Sequence, residues 1–592
     1  MSRYKKILKK ILIWRYKHIS ERQFEYILSV FVGFLAGIGT LVLKNLTYFF
    51  EWVLEGNLIK DYHYSFYFLF PIIGLFVVHY IKKVILKKDI GHGISTTLQA
   101  VSMKSGIIEQ YKIYASILTA PITVGFGGSV GLQGPAVSTG AALGSGIAQL
   151  FHVNTKTRML LIGCATAGAM SSMFQAPIAA IIFAIEIFSL DMAFTYLVPL
   201  LLASVSAVVT SYFFLGQNLL FKLKLTDAFQ IQDIIFYILL AIATGFASVY
   251  FSKIYFAIIN FFKRFKNPFY KLLWSSLAIG LLLFLIPPLY GEGYDIINNL
   301  LANNASKALR NLPYAIDTTD VWTVILFLLI IGILKVVAMT TTFAAGGVGG
   351  IFIPTLVMGS ILGNVIAKLI KQFGFSISET NFTLIGMTGL MAGVLHAPLT
   401  AIFLIAEITG GYDLFVPLML VSAISYAITK YFVSNSIYTI ELAQRGELIT
   451  HDKDKNVMMM MDIDKVIERN FVTISETMTL GEMLKNAVTK SSRNIFPVLN
   501  EKAQFLGIVL LDDIRPIMFD QKLYTSVTVL DVMKSAPAVI FNTDTTEQVM
   551  QKFKESSAWN LPVVDGKGRY IGFISKSKLL SVYRTKLLEV TS

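Results

Sequence analysis

The sequence predicts a polytopic α-helical membrane protein with a smaller α/β domain at its C-terminal end. Three observations lead to this fold class: 55% of the 592 residues are hydrophobic, the mean hydropathy is +0.64, and the composition changes sharply near Arg445. Soluble domains carry about 25% charged residues, whereas this chain carries 15%. Most of the chain before Arg445 is therefore expected to lie in a lipid bilayer.

Membrane-spanning helices are predicted wherever about 20 apolar residues follow one another, because that length crosses a hydrocarbon core. Such stretches cover residues 27–50, 66–86, 197–216, 235–251, 272–290 and 322–339. Two further apolar stretches, 120–150 and 344–369, are interrupted by glycine and proline. Broken helices at membrane depth occur only where they are buried in protein or line a cavity, so these two stretches are expected to build an internal site.

The N-terminal segment, residues 1–24, is strongly basic and has no acidic residue before Glu21. Positive residues accumulate on the cytoplasmic side of a bilayer, so the N-terminus is predicted to be cytoplasmic. The expected partner of this segment is anionic lipid rather than nucleic acid. The single cysteine, Cys164, excludes internal disulfides and cysteine-based metal clusters. Because no His-Glu-x-x-His helix is present either, neither a metal site nor an enzyme activity is expected.

The membrane region contains an internal repeat. Three positions recur 219 residues later along the chain: Gly127, Gly131 and Pro135 correspond to Gly346, Gly350 and Pro354. Two copies of a broken-helix unit, with a binding site where they meet, are typical of transporters and channels. The sequence leaves open whether the copies are inverted. Glu186 and Glu407 follow Ala-Pro pairs at matching places, and we expect both to be structural residues that accept hydrogen bonds near a helix end.

The tail repeats as well, at an offset of 65 residues. Pro497, Val498 and Gly507 correspond to Pro562, Val563 and Gly572. Capping boxes predict a helix before each strand pair, at Thr479 with Glu482 and at Thr545 with Gln548. The predicted organisation is a membrane domain at 25–446, a linker at 447–465, and two α/β repeats at 466–520 and 529–590.

Three glycine-rich segments are predicted to form an anion site: Gly91–Ile94, Gly131–Pro135 and Gly349–Pro354. A helix leaves its first N–H groups unpaired and carries a partial positive charge at that end, which suits an anion. Glycine lets the backbone approach closely, and proline is favoured at the first helical position.

These segments, the two Ala-Pro helices and Tyr438 resemble the CLC family of chloride channels and proton-coupled chloride transporters over residues 25–445, and the tail resembles a tandem CBS pair. The resemblance implies an inverted repeat within each subunit, a homodimer with one pore per subunit, and chloride as the anion. A bacterial cytoplasmic membrane is expected, with the tail in the cytoplasm. By resemblance, the anion-binding and pore residues are His92, Gly93, Ile94, Gly131, Gln133, Gly134, Gly350, Ile351, Phe352 and Tyr438.

The sequence departs from the family pattern at five residues. Ser95 replaces the proline that usually closes the first segment, and Leu132 replaces an arginine; the other three departures bear on mechanism. Gln133 stands at the gate position and Ile187 at the inner proton-path position, and glutamate is usual at both in family transporters. An amide neither titrates nor competes as an anion, so we predict passive, uncoupled conduction. His92 replaces the usual serine, and an imidazole that donates a hydrogen bond or carries a charge leaves the choice among chloride, fluoride and nitrate open.

Two other transport functions are compatible with the sequence. A proton-coupled antiporter of chloride, fluoride or nitrate is one, and a cation channel is another, because Thr123–Gly127 reads like a potassium selectivity filter. We interpret that segment as part of a helix leading to the second glycine-rich segment. In the tail, Asp513 and Ser575 are the possible contacts to an adenosine nucleotide, although each repeat keeps only half of the usual pair. A packed module without a cofactor is the other interpretation.

Overall fold

The computed structural model describes residues 13–15, 17–54, 66–88, 90–91, 93–103, 105–188, 194–216, 221, 227, 229–309, 312, 317–444, 461 and 463–591. Within these residues, eight helices are long and apolar enough to cross a membrane: Glu21–Leu54, Phe66–Leu86, Tyr196–Leu215, Ile231–Lys263, Pro268–Leu285, Val321–Ala344, Phe352–Gln372 and Phe415–Phe432. All six spans predicted from the sequence are among them. The prediction of a polytopic helical membrane protein is confirmed.

The helices of the first unit, Met1–Glu447, are named in chain order. They are α1 (Glu21–Glu51), α2 (Phe66–Tyr80), α3 (Gly93–Met103), α4 (Tyr111–Gly125), α5 (Gln133–Leu150), α6 (Thr155–Phe174), α7 (Pro177–Phe188), α8 (Phe194–Leu215), α9 (Ile234–Lys263), α10 (Pro268–Leu285), α11 (Tyr294–Leu301), α12 (Ala305–Ala308), α13 (Val321–Ala344), α14 (Phe352–Gln372), α15 (Glu379–Leu395), α16 (Pro398–Thr409), α17 (Phe415–Phe432) and α18 (Ile440–Gln444).

The two repeats pack their helices in the same way. Helix α5 lies against α6, and the corresponding α14 lies against α15. Glycines make both contacts close: a Cβ on Gly144 would lie 2.5 Å from the Leu161 carbonyl oxygen, and one on Gly359 would lie 2.5 Å from that of Gly386. Small residues at helix contacts are how membrane helices bring their backbones together.

Each repeat also breaks its chain at the same place. Gln175 directly follows α6 and His396 directly follows α15, and both C-cap residues adopt the left-handed conformation, with φ of 57° and 54°. An Ala-Pro pair follows in each copy and starts the short apolar helices α7 and α16. A left-handed residue at this position ends a helix, so α7 and α16 begin at corresponding places in the two repeats. The two helices contact each other.

The second unit, Leu448–Ser592, contains two similar three-stranded sheets. The strands are β1 (Ile474–Ser475), β2 (Ile495–Leu499), β3 (Phe505–Leu510), β4 (Ile540–Phe541), β5 (Asn560–Val564) and β6 (Tyr570–Ser575). In each sheet the middle strand pairs parallel with the first strand and antiparallel with the third. The helices of this unit are α19 (Leu480–Asn486), α20 (Leu511–Ile514), α21 (Val529–Val532), α22 (Thr546–Ser556) and α23 (Lys576–Thr591).

Local sequence signals set the helix starts in this unit. Both predicted capping boxes are present, at Thr479 for α19 and at Thr545 for α22.

The predicted linker, residues 447–465, differs from the structure at its C-terminal end. Met461 is already buried with Val466 in the hydrophobic core of the second repeat, because the chain entering the tail supplies apolar side chains that the second sheet needs for its core.

Candidate functional site

The three glycine-rich segments meet in the middle of the membrane domain, and glycine makes the meeting possible. A Cβ on Gly93, at the start of α3, would lie 2.9 Å from the Gly134 carbonyl oxygen. A Cβ on Gly134, in the first turn of α5, would lie 3.0 Å from the Gly349 carbonyl oxygen. The N-termini of α3, α5 and α14 therefore converge on one point, as the sequence predicts. Three positive helix ends make this point favourable for an anion.

A cavity of about 20 Å³ lies at this convergence. A cavity of about 10–15 Å³ or more can hold one water molecule, so this cavity of about 20 Å³ has room for one water molecule or one small ion. Its lining residues come from the three segments and from two further places in the chain: Ile94, Ser95, Gly134, Tyr255, Phe343, Gly349, Gly350, Ile351, Ile437 and Tyr438.

Tyr438 contributes an unusual polar group to the cavity. Its side chain is only 6% exposed, and among the described residues its hydroxyl has no hydrogen-bond partner. A buried hydroxyl without a partner costs free energy unless a bound molecule or ion satisfies it. The cavity brings together five of the residues assigned to the anion site from the sequence: Ile94, Gly134, Gly350, Ile351 and Tyr438.

The prolines occupy a different helical position from the one predicted. Helix α5 begins at Gln133 and α14 at Phe352, so Pro135 and Pro354 are the third helical residues and not the first. The physical reason is that any of the first N–H groups lacks a partner within the helix, so proline is tolerated there without loss. Ile351 and Phe352, both buried, are the N-cap and first helical residues of α14.

Gln133 lies fully buried at the first position of α5. Its Nε2 donates to the Tyr294 hydroxyl at 3.2 Å, and among the described residues its Oε1 has no partner. The adjacent N–H of Leu132 donates to Oε1 of Glu292 at 2.9 Å. Neither Glu292 nor Tyr294 was among the site residues predicted from the sequence. The signal that could have found them is an acidic residue between two glycines at Gly291–Gly293, inside an otherwise apolar region.

Glu186 and Glu407 accept hydrogen bonds at helix ends, as predicted from the sequence. Each belongs to one repeat and caps the short helix of the other. The carboxylate of Glu407 accepts the N–H groups of Ile178 and Ala179 at 2.9 and 2.7 Å. The carboxylate of Glu186 accepts those of Leu399 and Thr400 at 3.1 and 2.9 Å, together with the Thr400 hydroxyl at 2.6 Å. Ile187, the next residue on α7, is half-buried.

The segment that resembles a potassium filter supports the third glycine-rich segment. Helix α4 ends at Gly125, and Gly127 has φ of +93°. The Thr123 hydroxyl donates to Thr119 within the helix and accepts the N–H of Val348 at 3.1 Å. These contacts agree with its interpretation as a helix end. His92, the predicted first-segment ligand, lies outside the described residues.

In the tail, both possible nucleotide contacts have protein partners. Asp513 pairs with Lys534 at 2.7 Å, and the Ser575 hydroxyl donates to Glu468 Oε1 at 2.6 Å. Glu468 in turn pairs with Arg493 at 2.5 Å. Within the described residues, no group of three histidine, cysteine or acidic side chains could hold a metal ion.

Comparison with known protein families gives two matches along the chain. Residues 73–430 match the family described as voltage gated chloride channel. Residues 462–520 and 529–585 each match the CBS domain.

Curated relatives match more than half of this chain. A putative chloride channel protein ClcB-like from Ralstonia nicotianae is 26% identical over 362 residues, which are 60% of this chain and 80% of that protein. An H(+)/Cl(-) exchange transporter ClcA from Vibrio cholerae serotype O1 is 29% identical over 327 residues, 53% of this chain and 66% of that protein. The ClcA of Yersinia pestis bv. Antiqua is 30% identical over 341 residues, with 54% and 66% coverage.

Solved structures show the same fold. A slow cyanobacterial Cl-/H+ antiporter aligns with a TM-score of 0.61 at 19% identity and covers 72% of this chain and 98% of its own. A CLC-type fluoride/proton antiporter aligns with a TM-score of 0.57 at 23% identity, with 70% and 96% coverage. A eukaryotic CLC transporter covers 94% of this chain and 97% of its own, with a TM-score of 0.60 at 16% identity.

Proposed function

Since this chain belongs to the voltage gated chloride channel family, we propose that its anion transport takes the form of passive chloride conduction. The proposed path runs through the cavity between the N-termini of α3, α5 and α14. The backbone N–H groups at Ile351 and Phe352 and the Tyr438 hydroxyl replace part of the water shell of the anion. Small dehydrated sites of this kind set selectivity through the donors that line them.

The observation that carries the proposal of passive conduction is the pair of neutral residues at Gln133 and Ile187. Proton relays in membrane proteins run along titratable side chains, and by resemblance family transporters carry a glutamate at each of these two positions. Gln133 is an amide at the first position of α5, and Ile187 is apolar. The neighbouring carboxylate of Glu186 is engaged by the N-terminus of α16, which supports a structural role for it.

The test is anion efflux from proteoliposomes loaded with potassium chloride. Valinomycin lets potassium leave and so balances the charge of departing chloride, and a protonophore added afterwards opens a separate proton route. Passive conduction predicts complete chloride efflux with valinomycin alone and no accompanying proton movement. Uphill proton movement driven by a chloride gradient would contradict it.

The second candidate function is proton-coupled antiport of chloride or fluoride. What favours it is the set of relatives: two of the curated relatives are named H(+)/Cl(-) exchange transporters, and two neighbouring structures are named proton antiporters. An antiporter would need a proton route that avoids Gln133 and Ile187. The same vesicle experiment separates the two functions, because only an antiporter moves protons against their gradient.

The remaining parts of the proposal concern assembly and location. The protein would be a homodimer in a bacterial cytoplasmic membrane, with the basic N-terminus and the CBS tail in the cytoplasm. Apolar side chains on the outer faces of the spans, such as Phe213 at 83% and Phe246 at 55% exposure, support contact with lipid. For the tail, the contacts of Asp513 and Ser575 within the protein favour a packed module over a nucleotide sensor.

A further inference from the structure

A buried carboxylate lies at the N-terminus of α5, the helix that begins at the gate position Gln133. Glu292, in the loop between α10 and α11, accepts the N–H of Leu132 at 2.9 Å. Leu132 is the N-cap of α5, so this N–H is one of the unpaired donors at a positive helix end. Glu292 is buried, and the same helix end presents Gly134 to the anion cavity. One helix N-terminus therefore serves a protein carboxylate and the cavity together.

The polar groups around Glu292 are themselves buried and only partly satisfied. Next to it along α5, Gln133 Oε1 has no partner among the described residues. Two lysines approach from neighbouring helices: Lys44 Nζ donates to the Met173 carbonyl at 2.7 Å, and Lys335 Nζ donates to that of Gly291 at 3.1 Å. Neither lysine forms a direct ion pair with Glu292 within the described residues. Two buried lysine side chains thus lie near one carboxylate, which interacts electrostatically with both.

Other titratable groups complete the surroundings. Tyr294 on α11 accepts the hydrogen bond from Gln133. Tyr48 and Glu51 on α1 lie close enough to interact electrostatically with this cluster. Glu292 is therefore the carboxylate bonded to the helix end, and Glu51 is a second carboxylate nearby on another element.

We propose that Glu292 is a tethered anion of the conduction pathway. When ionised, its carboxylate holds the N-terminal donor of α5; when protonated, it releases that donor to a permeating anion. The inference rests on the proposed anion conduction and deepens it. It assigns the competing negative charge to a residue distant in sequence from Gln133, which cannot supply one.

Titration makes the release testable. Burial raises the pKa of the Glu292 carboxyl to about 7, and the Leu132 N–H and the lysines oppose this rise. A raised pKa means that the group takes up a proton as the pH falls through the neutral range. Chloride flux should therefore increase on acidification even though Gln133 does not titrate.

The experiment compares chloride efflux from proteoliposomes at about pH 5.5 and about pH 8.5, with valinomycin present, for the wild type and three variants. Wild-type efflux should be about tenfold or more faster at the acidic pH, because the protonated fraction changes up to tenfold per pH unit above the pKa. Glu292→Gln keeps the shape without the charge and should give fast efflux at both pH values. Glu292→Asp keeps the charge but is one methylene shorter, and should give faster efflux than the wild type at about pH 8.5.

The matched control is Glu51→Gln, which removes the nearby carboxylate and should leave the wild-type pH dependence in place. Each variant is first checked for a single symmetrical peak in size-exclusion chromatography. Wild-type efflux that does not change with pH would overturn the inference whatever the variants do. Acid activation that persists in Glu292→Gln or moves with Glu51→Gln would overturn it too. No chloride efflux at any pH, in any protein, would instead refute the proposed function itself.

Discussion

Gly131 and Gly350, equivalent positions of the two repeats, exchange a pair of backbone hydrogen bonds. The N–H of Gly131 donates to the Gly350 carbonyl at 2.9 Å, and the N–H of Gly350 donates to that of Gly131 at 2.6 Å. The bridge is antiparallel, so the two segments run in opposite directions where they meet. It fixes the starts of α5 and α14 next to each other and thereby sets the width of the anion cavity.

This bridge predicts that Gly350→Ala is damaging. A Cβ at Gly350 would lie 2.7 Å from the Gly134 backbone nitrogen, and backbone atoms cannot move aside as a flexible side chain can. Overpacking of this kind costs about 1–3 kcal/mol or more. We expect a lower melting temperature in detergent and loss of chloride efflux. Gly146→Ala on α5, where a Cβ would meet no atom within 4 Å, is the control and should match the wild type; equal behaviour of the two variants would contradict the prediction.

Gln133→Glu should restore a titratable group at the gate position. The change adds a carboxylate at the first position of α5, where the helix end attracts it. In the Glu292→Gln background, which removes the carboxylate bonded to this helix end, we expect slow efflux near neutral pH and faster efflux in acid. The measurement is the initial efflux rate against pH. Indifference of the rate to both mutation and pH would show that Gln133 lies outside the pathway.

Tyr438→Phe should weaken chloride binding with little effect on folding. The hydroxyl has no protein partner among the described residues, so its removal breaks no protein hydrogen bond. A hydrogen bond to a charged group contributes about 1.5–3 kcal/mol, so the loss predicts about tenfold or weaker chloride binding and a changed preference against nitrate and fluoride. Isothermal titration calorimetry measures the chloride affinity, and competitive efflux measures the preference among the three anions.

The control for this prediction is Tyr250→Phe, whose hydroxyl donates to the Ile333 carbonyl at 3.2 Å, away from the cavity. That variant should bind chloride as the wild type does. Unchanged affinity and selectivity in Tyr438→Phe would place the central anion site elsewhere.

The sequence predicted the spans, the repeat and the convergence of the glycine-rich segments, because each depends on local patterns. Apolar length identifies a span, and the 219-residue offset pairs Gly131 with Gly350 without any structure. The hydrogen bonding of Glu186 and Glu407 was also predicted, since a carboxylate in an apolar helix needs donors.

Glu292 could not be found in this way. Its partner, the Leu132 N–H, lies 160 positions away along the chain, and a backbone donor leaves no trace in the residue type. The third-position prolines were missed for a related reason. A proline is tolerated anywhere in the first helical turn, so its presence indicates a helix start only to within a few residues.

Replacing Glu186 or Glu407, each of which accepts hydrogen bonds from the short helix of the other repeat, should lower stability without creating proton coupling. Glu407→Ala removes the acceptor for the N–H groups of Ile178 and Ala179, and a hydrogen bond to a charged group contributes about 1.5–3 kcal/mol. Glu407→Gln keeps one acceptor oxygen and should lose less. We expect the melting temperature to be highest for the wild type, lower for Glu407→Gln and lowest for Glu407→Ala. Chloride efflux should remain free of proton movement in all three proteins. A variant that alters proton movement while keeping its melting temperature would argue for a transport role.

The tail should not respond to adenosine nucleotides while Glu468 is in place. The Ser575 hydroxyl is taken by Glu468, which also pairs with Arg493, and Asp513 is paired with Lys534. A nucleotide would have to displace Glu468 before it met the Ser575 hydroxyl, whereas Asp513 Oδ2 is buried without a partner among the described residues. Ligand binding to the folded state raises the melting temperature, so we expect no shift for the wild-type chain with AMP or ATP. Glu468→Ala frees Ser575 and gives the comparison. A shift in the wild type would show that the tail binds nucleotide despite these contacts, and a shift only in Glu468→Ala would identify Glu468 as the residue that blocks the site.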